Sequence, residues 1–233
     1  MTLLINGCSF ARIWNVSEEF KNHLGCSKIV NIGKVGTGFA RTLRSTIEWV
    51  AQNGKPRFAI IPITYAHRWD MAIAKEDDTL DGTWHPLLEE PHLDLDRIDL
   101  ENVSEDKLKK LVPYYHGCIP NVRTYWDKIF TEIISLASFF EANGIEYLMC
   151  DMVNNFEEKH LAGYQGFTKL DLIKNNKNII DLFSFCGNHF MYNKLPENKR
   201  VGVHPYANHH GATEYKHFEQ YLIDYLNSKL CIE

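Results

Sequence analysis

The chain has 233 residues, 45% of them hydrophobic and 24% charged, with a formal net charge of −5, a composition that fits one well-cored globular domain. The acidic balance, with no run of five lysines or arginines, argues against a nucleic-acid partner, and no apolar stretch approaches the roughly 20 residues a membrane helix needs. Six cysteines (Cys8, Cys26, Cys118, Cys150, Cys186, Cys231) are scattered without a Cys-x-x-Cys pair, so free thiols in a reducing, cytoplasmic setting are expected, with no membrane association.

Along the chain, short apolar runs alternate with helical periodicity. "TLLING" reads as a first strand and "KIVNIG" as a second. "GFARTLRSTIEWVAQNG" then places Phe39, Leu43, Ile47 and Val50 on one helical face and stops at Asn53-Gly54, a common helix terminus. "RFAIIPIT" is the third strand. From Asp70 to about Ile119 there is no strand signal; acidic clusters, prolines and one short helix starting at Ser104 mark an insertion over the sheet's carboxyl edge, which suits a lid or specificity wall and a merely decorative surface excursion equally. "NVRTYWDKIFTEIISLASFFEANG" is a long helix, "IEYLMCDM" a fourth strand, and Leu170 to Leu182 a weaker helix. The last helix sets Tyr215, Phe218, Leu222, Tyr225 and Leu226 at helical spacing. Strands this continuously apolar are buried on both faces. The expected architecture is therefore a single domain, residues 1–233, forming a three-layer α/β/α sandwich on a parallel sheet of about four or five strands.

Chemistry-bearing stretches fall at strand carboxyl ends: "GCSF" after the first strand, "NIGKVGTGFAR" after the second and "TYAHRWD" after the third. A fourth, "VGVHPYANHHGATEYKHF", precedes the last helix. In "GCS", Cys8 and Ser9 are both nucleophile candidates, although such a turn is also commonplace. The glycines Gly33, Gly36 and Gly38 suggest a phosphate loop, but neither GxGxxG nor GxxxxGK[ST] is in register. His204, His209, His210 and Glu214 lack the HExxH-like or cysteine spacing of zinc ligands, so no metal is expected. Trp14, Trp69, Trp84 and Trp126 suit sugar stacking and core packing equally.

These four blocks, in this order and at about these separations, resemble those of the SGNH (GDSL-like) hydrolase superfamily over nearly the whole chain. The resemblance implies a flavodoxin-like parallel sheet, no cofactor, and a serine esterase or acyl hydrolase acting on a small-molecule or glycan ester, including O-acetyl groups on carbohydrates. It makes Ser9, two residues after Gly7, the nucleophile, with Cys8 in the spacer position where the family has aspartate. Asn31 and Gly36 match the second block, so the Gly36 N–H joins the Ser9 N–H in the oxyanion hole. The third block departs from the family's Gly-x-Asn. Ala66 stands at the asparagine position, leaving His67 or Arg68 as oxyanion donors and Tyr65 with Asn31 beside the substrate. In the fourth block His204 matches the general base, while the orienting aspartate is replaced by Val201. Two missing parts leave a second reading, a non-catalytic protein of this fold that binds a glycan or acyl group or serves in an assembly.

Overall fold

The computed structural model describes the backbone of residues 1–34, 37–64, 69–72, 84–87, 122–152, 156, 167–181 and 212–230. In chain order the elements are β1 (Thr2–Ile5), α1 (Ser9–Ile13), α2 (Glu18–His23), β2 (Lys28–Asn31), α3 (Phe39–Asn53), β3 (Phe58–Ile63), β4 (Trp69–Ala72) and β5 (Trp84–Leu87). Then follow α4 (Val122–Asn143), β6 (Glu146–Asp151), α5 (Phe167–Lys174), β7 (Ile179–Asp181) and α6 (Ala212–Leu230).

Five strands form one parallel sheet in the order β2-β1-β3-β6-β7. All six positions of β3 are buried, as its unbroken apolar run requires. Successive side chains point to opposite faces, and the core divides accordingly. Leu4, Ala59, Ile61, Tyr147 and Met149 pack with Phe130, Ile133, Phe140 and Leu170 from α4 and α5. Leu3, Ile5, Ile60, Leu148 and Cys150 pack with Trp14, Phe20 and the α6 residues Tyr215, Phe218 and Leu222. The sheet thus separates two helical layers, the expected α/β/α sandwich, and Tyr225 and Leu226 lie against the second layer as their spacing indicated.

Four features differ from the sequence reading. The face of α3 turned inward carries Arg41, Thr42, Ser45 and Thr46 together with Phe39 and Val50, while Ile47 is 37% exposed. The cause is the partner that β1 offers: its run ends in buried Asn6, which rewards hydroxyls and a carbonyl on the helix. The helix expected from Leu170 to Leu182 stops at Lys174. The Asn178 N–H donates to Asn176 Oδ1 at 2.8 Å, a local turn that competes with the helix, and Ile179–Asp181 then pairs with Met149–Asp151 as an edge strand. The short helices α1 and α2 were not anticipated. In α2 the Ser17 side chain caps the Phe20 N–H, with Glu18 and Glu19 in the first turn, a start signal legible in hindsight. Finally, within Asp70–Ile119 the pair β4 and β5 is antiparallel, with Trp69 opposite Leu87 and Asp70 opposite Pro86. Four-residue strands are too short to establish a period of two, and a proline within one marks an edge. β4 lies against α3; the Ser104 helix expected farther along falls outside the described residues.

Candidate active site

β1 has β2 on one side and β3 on the other, so the chain leaves it first in one direction and later in the other. At such a switch point the connections after neighbouring strands part and leave a crevice at the carboxyl edge, where open α/β sheets bind ligands. The turn Asn6-Gly7-Cys8-Ser9 lies there.

Gly7 makes the turn possible. It adopts φ +155°, and a Cβ at this position would stand 2.9 Å from the Pro62 carbonyl oxygen on β3 and 3.1 Å from the Ala11 Cβ. Cys8 follows in an extended conformation as the cap of α1, and Ser9 is the first helical residue. Ser9 is 2% exposed, and its Oγ lies 3.9 Å from the Cys8 Sγ. Cys8 itself is fully buried as a free thiol, in keeping with a spacer that packs as a small hydrophobe.

Neighbouring elements hold this turn from three sides. On the α3 side, Asn6 Nδ2 donates to the Thr42 carbonyl at 3.0 Å and to Ser45 Oγ and Thr46 Oγ1, each at 2.8 Å. Its Oδ1 accepts from the Gly7 N–H at 2.9 Å and from Arg41 Nη1 at 3.2 Å. On the β2 side, Asn31 Nδ2 donates to the Ala11 carbonyl at 2.7 Å while its Oδ1 accepts from the Gly33 N–H at 3.0 Å. Asn31 therefore ties the end of β2 to α1 with the nitrogen of its amide and to the following loop with the oxygen. The Lys34 N–H adds a bond to the Gly7 carbonyl at 2.9 Å. On the α6 side, the Tyr215 hydroxyl donates to the Phe10 carbonyl at 2.7 Å. Glu219 Oε1, itself buried, accepts from Trp14 Nε1 and the Ser17 N–H, both at 2.9 Å. Burial pushes the Tyr215 hydroxyl far above the ordinary tyrosine range, with the Cys8 thiol adding to it, so Tyr215 remains a proton donor to Phe10 across the working pH range.

Of the residues singled out in the sequence, Ser9 and Asn31 are thus brought to one edge of the sheet. Gly36, Tyr65, Ala66, His67, Arg68, Val201 and His204 lie outside the described residues. Sequence reasoning missed Asn6, Arg41, Tyr215 and Glu219 as supports of the turn. Asn6 carried a signal, a polar residue ending an apolar strand, and Glu219 carried another, an acid on the inward face of an amphipathic helix. Asp151 is also fully buried at the carboxyl end of β6, and its Oδ2 accepts from the Phe156 N–H at 3.2 Å. No group of three or more histidine, cysteine, aspartate or glutamate side chains suited to a metal occurs among the described residues.

No protein-family model matches the sequence, and no curated protein matches it. Among solved structures, the chain resembles the psychrotrophic esterase EstA from Pseudoalteromonas sp., inhibited by monoethylphosphonate, with 12% identity, a TM-score of 0.49 and 98% of each chain covered. It also resembles TesA, with 12% identity, a TM-score of 0.47, and 97% of this chain and 98% of that chain covered. Both likenesses run nearly end to end, and they are likenesses of fold.

Proposed function

We propose that this chain is an SGNH-type serine hydrolase that cleaves an ester of a small molecule or glycan, with O-acetyl carbohydrate as a substrate class. The observation that carries the reading is the position of Ser9: first residue of α1, immediately beyond the Gly7 turn, at the carboxyl end of β1 and at the switch point of the sheet. In the mechanism, His204 takes the Ser9 proton, Ser9 Oγ attacks the ester carbonyl carbon, and the alcohol departs with a proton returned by His204. Water then attacks the acyl-enzyme by the same base and releases the acid. The N–H groups of Ser9 and Gly36 hold the oxyanion, and Arg68 or His67 supplies the donor that the replaced asparagine would give. The first-turn amides of a helix have no acceptor within it, which suits the Ser9 N–H to that task.

Asn31 acts in this scheme by holding α1 to the loop after β2, and Tyr65 walls the substrate site. The segment 70–119 serves as a lid, a role supported by the start of β4 six residues beyond the end of β3. The described cysteines Cys8, Cys26 and Cys150 are buried and outside any disulfide, which favours a reducing compartment. No helix among the described residues is long and apolar enough to cross a membrane.

Treating the full chain with a fluorophosphonate tests the proposal, because phosphonylation requires an activated hydroxyl. A mass increment on the Ser9 peptide is the expected result. An unmodified Ser9 in folded protein favours the non-catalytic binding reading instead. A second expectation concerns Val201, the residue in place of the orienting carboxylate. Val201→Asp should raise kcat/KM on an aryl acetate by about 10-fold, because a carboxylate fixes the imidazole tautomer and stabilises the imidazolium. A folded Val201→Asp enzyme without gain, together with full activity in His204→Ala, would remove His204 from the mechanism.

A further inference from the structure

We infer that Asn6 and Arg41 form a clamp that sets the spacing between the Ser9 turn and the loop after β2, making both positioning residues for the acyl transfer proposed above, on which this inference rests. Past the paired residues Ile5 and Asn31, β1 continues into the Ser9 turn and β2 into the loop whose sequence carries Gly36. Backbone bonds from Ile32 N–H to the Ile5 carbonyl and from Lys34 N–H to the Gly7 carbonyl, both 2.9 Å, keep the two segments side by side. Arg41 joins them a second time from α3. Its Nη1 donates to the Ile32 carbonyl at 2.9 Å and to Asn6 Oδ1 at 3.2 Å, and that same oxygen holds the Gly7 N–H. One guanidinium nitrogen therefore contacts the loop after β2 and the residue that orients Gly7.

The chemistry suits positioning better than packing. Arg41 is 5% exposed and Asn6 is fully buried, and burying a guanidinium is costly where methionine or leucine would fill the same volume. Asn6 is fixed in turn by Thr42, Ser45 and Thr46, so the clamp is anchored on a helix rather than on a loop. Oxyanion donors act when they stand about 2.7 to 3.1 Å from the position the developing charge will occupy, a window of a few tenths of an ångström. A clamp that fixes the separation of two donor-bearing segments therefore acts on turnover more than on substrate affinity.

The test combines backbone hydrogen exchange with fluorophosphonate labelling and aryl acetate kinetics, on the full chain and on Arg41→Met, Arg41→Lys and Asn6→Asp. In Arg41→Met, exchange at Gly7 and Lys34 should accelerate about 10-fold or more while β3 and β6 stay protected. The Ser9 labelling rate and kcat should each fall about 10²-fold with KM little changed. Arg41→Lys keeps the charge with a single donor nitrogen and should recover only part of both. Asn6→Asp keeps the oxygen that accepts from Gly7 and Arg41 but sets an acceptor against the Thr42 carbonyl, so it should lose activity as well, and Arg41→Lys, the milder variant, keeps the test decisive if Arg41→Met does not fold. Unchanged exchange and unchanged labelling in Arg41→Met would overturn the clamp while leaving the hydrolase reading intact. Wild-type protein that resists labelling refutes the hydrolase reading and the catalytic half of this inference, and the exchange rates decide the clamp separately.

Discussion

Ser9→Ala is expected to reduce kcat/KM on an activated acetyl ester by roughly 10⁴-fold or more, leaving at most the catalysis that an oxyanion hole supplies without a nucleophile. The substitution itself is structurally mild. The Oγ of Ser9 has Cys8 Sγ at 3.9 Å as its neighbour, a distance at which little bonding energy is at stake. Alanine is also a better helix former than serine at the start of α1. A variant with wild-type melting behaviour and no turnover would locate the loss in chemistry rather than folding. Retention of activity within a factor of ten would remove Ser9 from the reaction. It would turn attention to Cys8, which packs as a small hydrophobe in the spacer position. Cys8→Ala should accordingly keep most of the activity.

Gly7→Ala is expected to cost about 2 to 4 kcal/mol, from backbone strain at φ +155° and from a Cβ pressed to 2.9 Å against a backbone oxygen of β3 that cannot rotate away. For a chain of this size that loss lowers Tm by roughly 5 to 15 °C. Gly25 is the control. Its φ is +64° but nothing lies within 4 Å of the place a Cβ would occupy, so Gly25→Ala should cost about 1 kcal/mol. Equal losses at the two positions, measured by thermal or urea unfolding, would show that the contact with Pro62 carries no weight. Any folded Gly7→Ala protein should also be a poorer enzyme, since relief of the clash moves Ser9.

How far the sequence reveals these features depends on the range of the interaction. Continuous apolar runs such as Phe58–Ile63 report their own burial, so the four longer sheet strands and the three long helices were legible, although β2, expected to be buried on both faces, lies at the sheet edge with Lys28 exposed and its other residues half-buried. β7 has three residues and gains its identity only by pairing with Met149–Asp151, which no local pattern contains. The inward face of α3 was misread for a related reason. Apolar periodicity selects Leu43 and Ile47, whereas Asn6, 36 to 40 residues away, makes Thr42, Ser45 and Thr46 the better neighbours. At the site, Ser9 was marked by Gly7 two residues earlier, and Asn31 by the family's second block. Arg41 could not be assigned, because an isolated charge in an amphipathic helix reads as a solvated one until its burial is seen.

The dependence of the Ser9 turn on α6 has a consequence for the order of synthesis. Trp14 and Phe20 belong to the part of the chain translated first, yet the residues that cover them, Tyr215, Phe218 and Leu222, are added after every strand of the sheet. At ribosomal rates of about 5 to 20 residues per second, one face of the sheet stays uncovered for tens of seconds. During that interval the Phe10 carbonyl lacks its tyrosine and the Trp14 indole its carboxylate. The Ser9 turn therefore gains its last supports only when the closing helix docks.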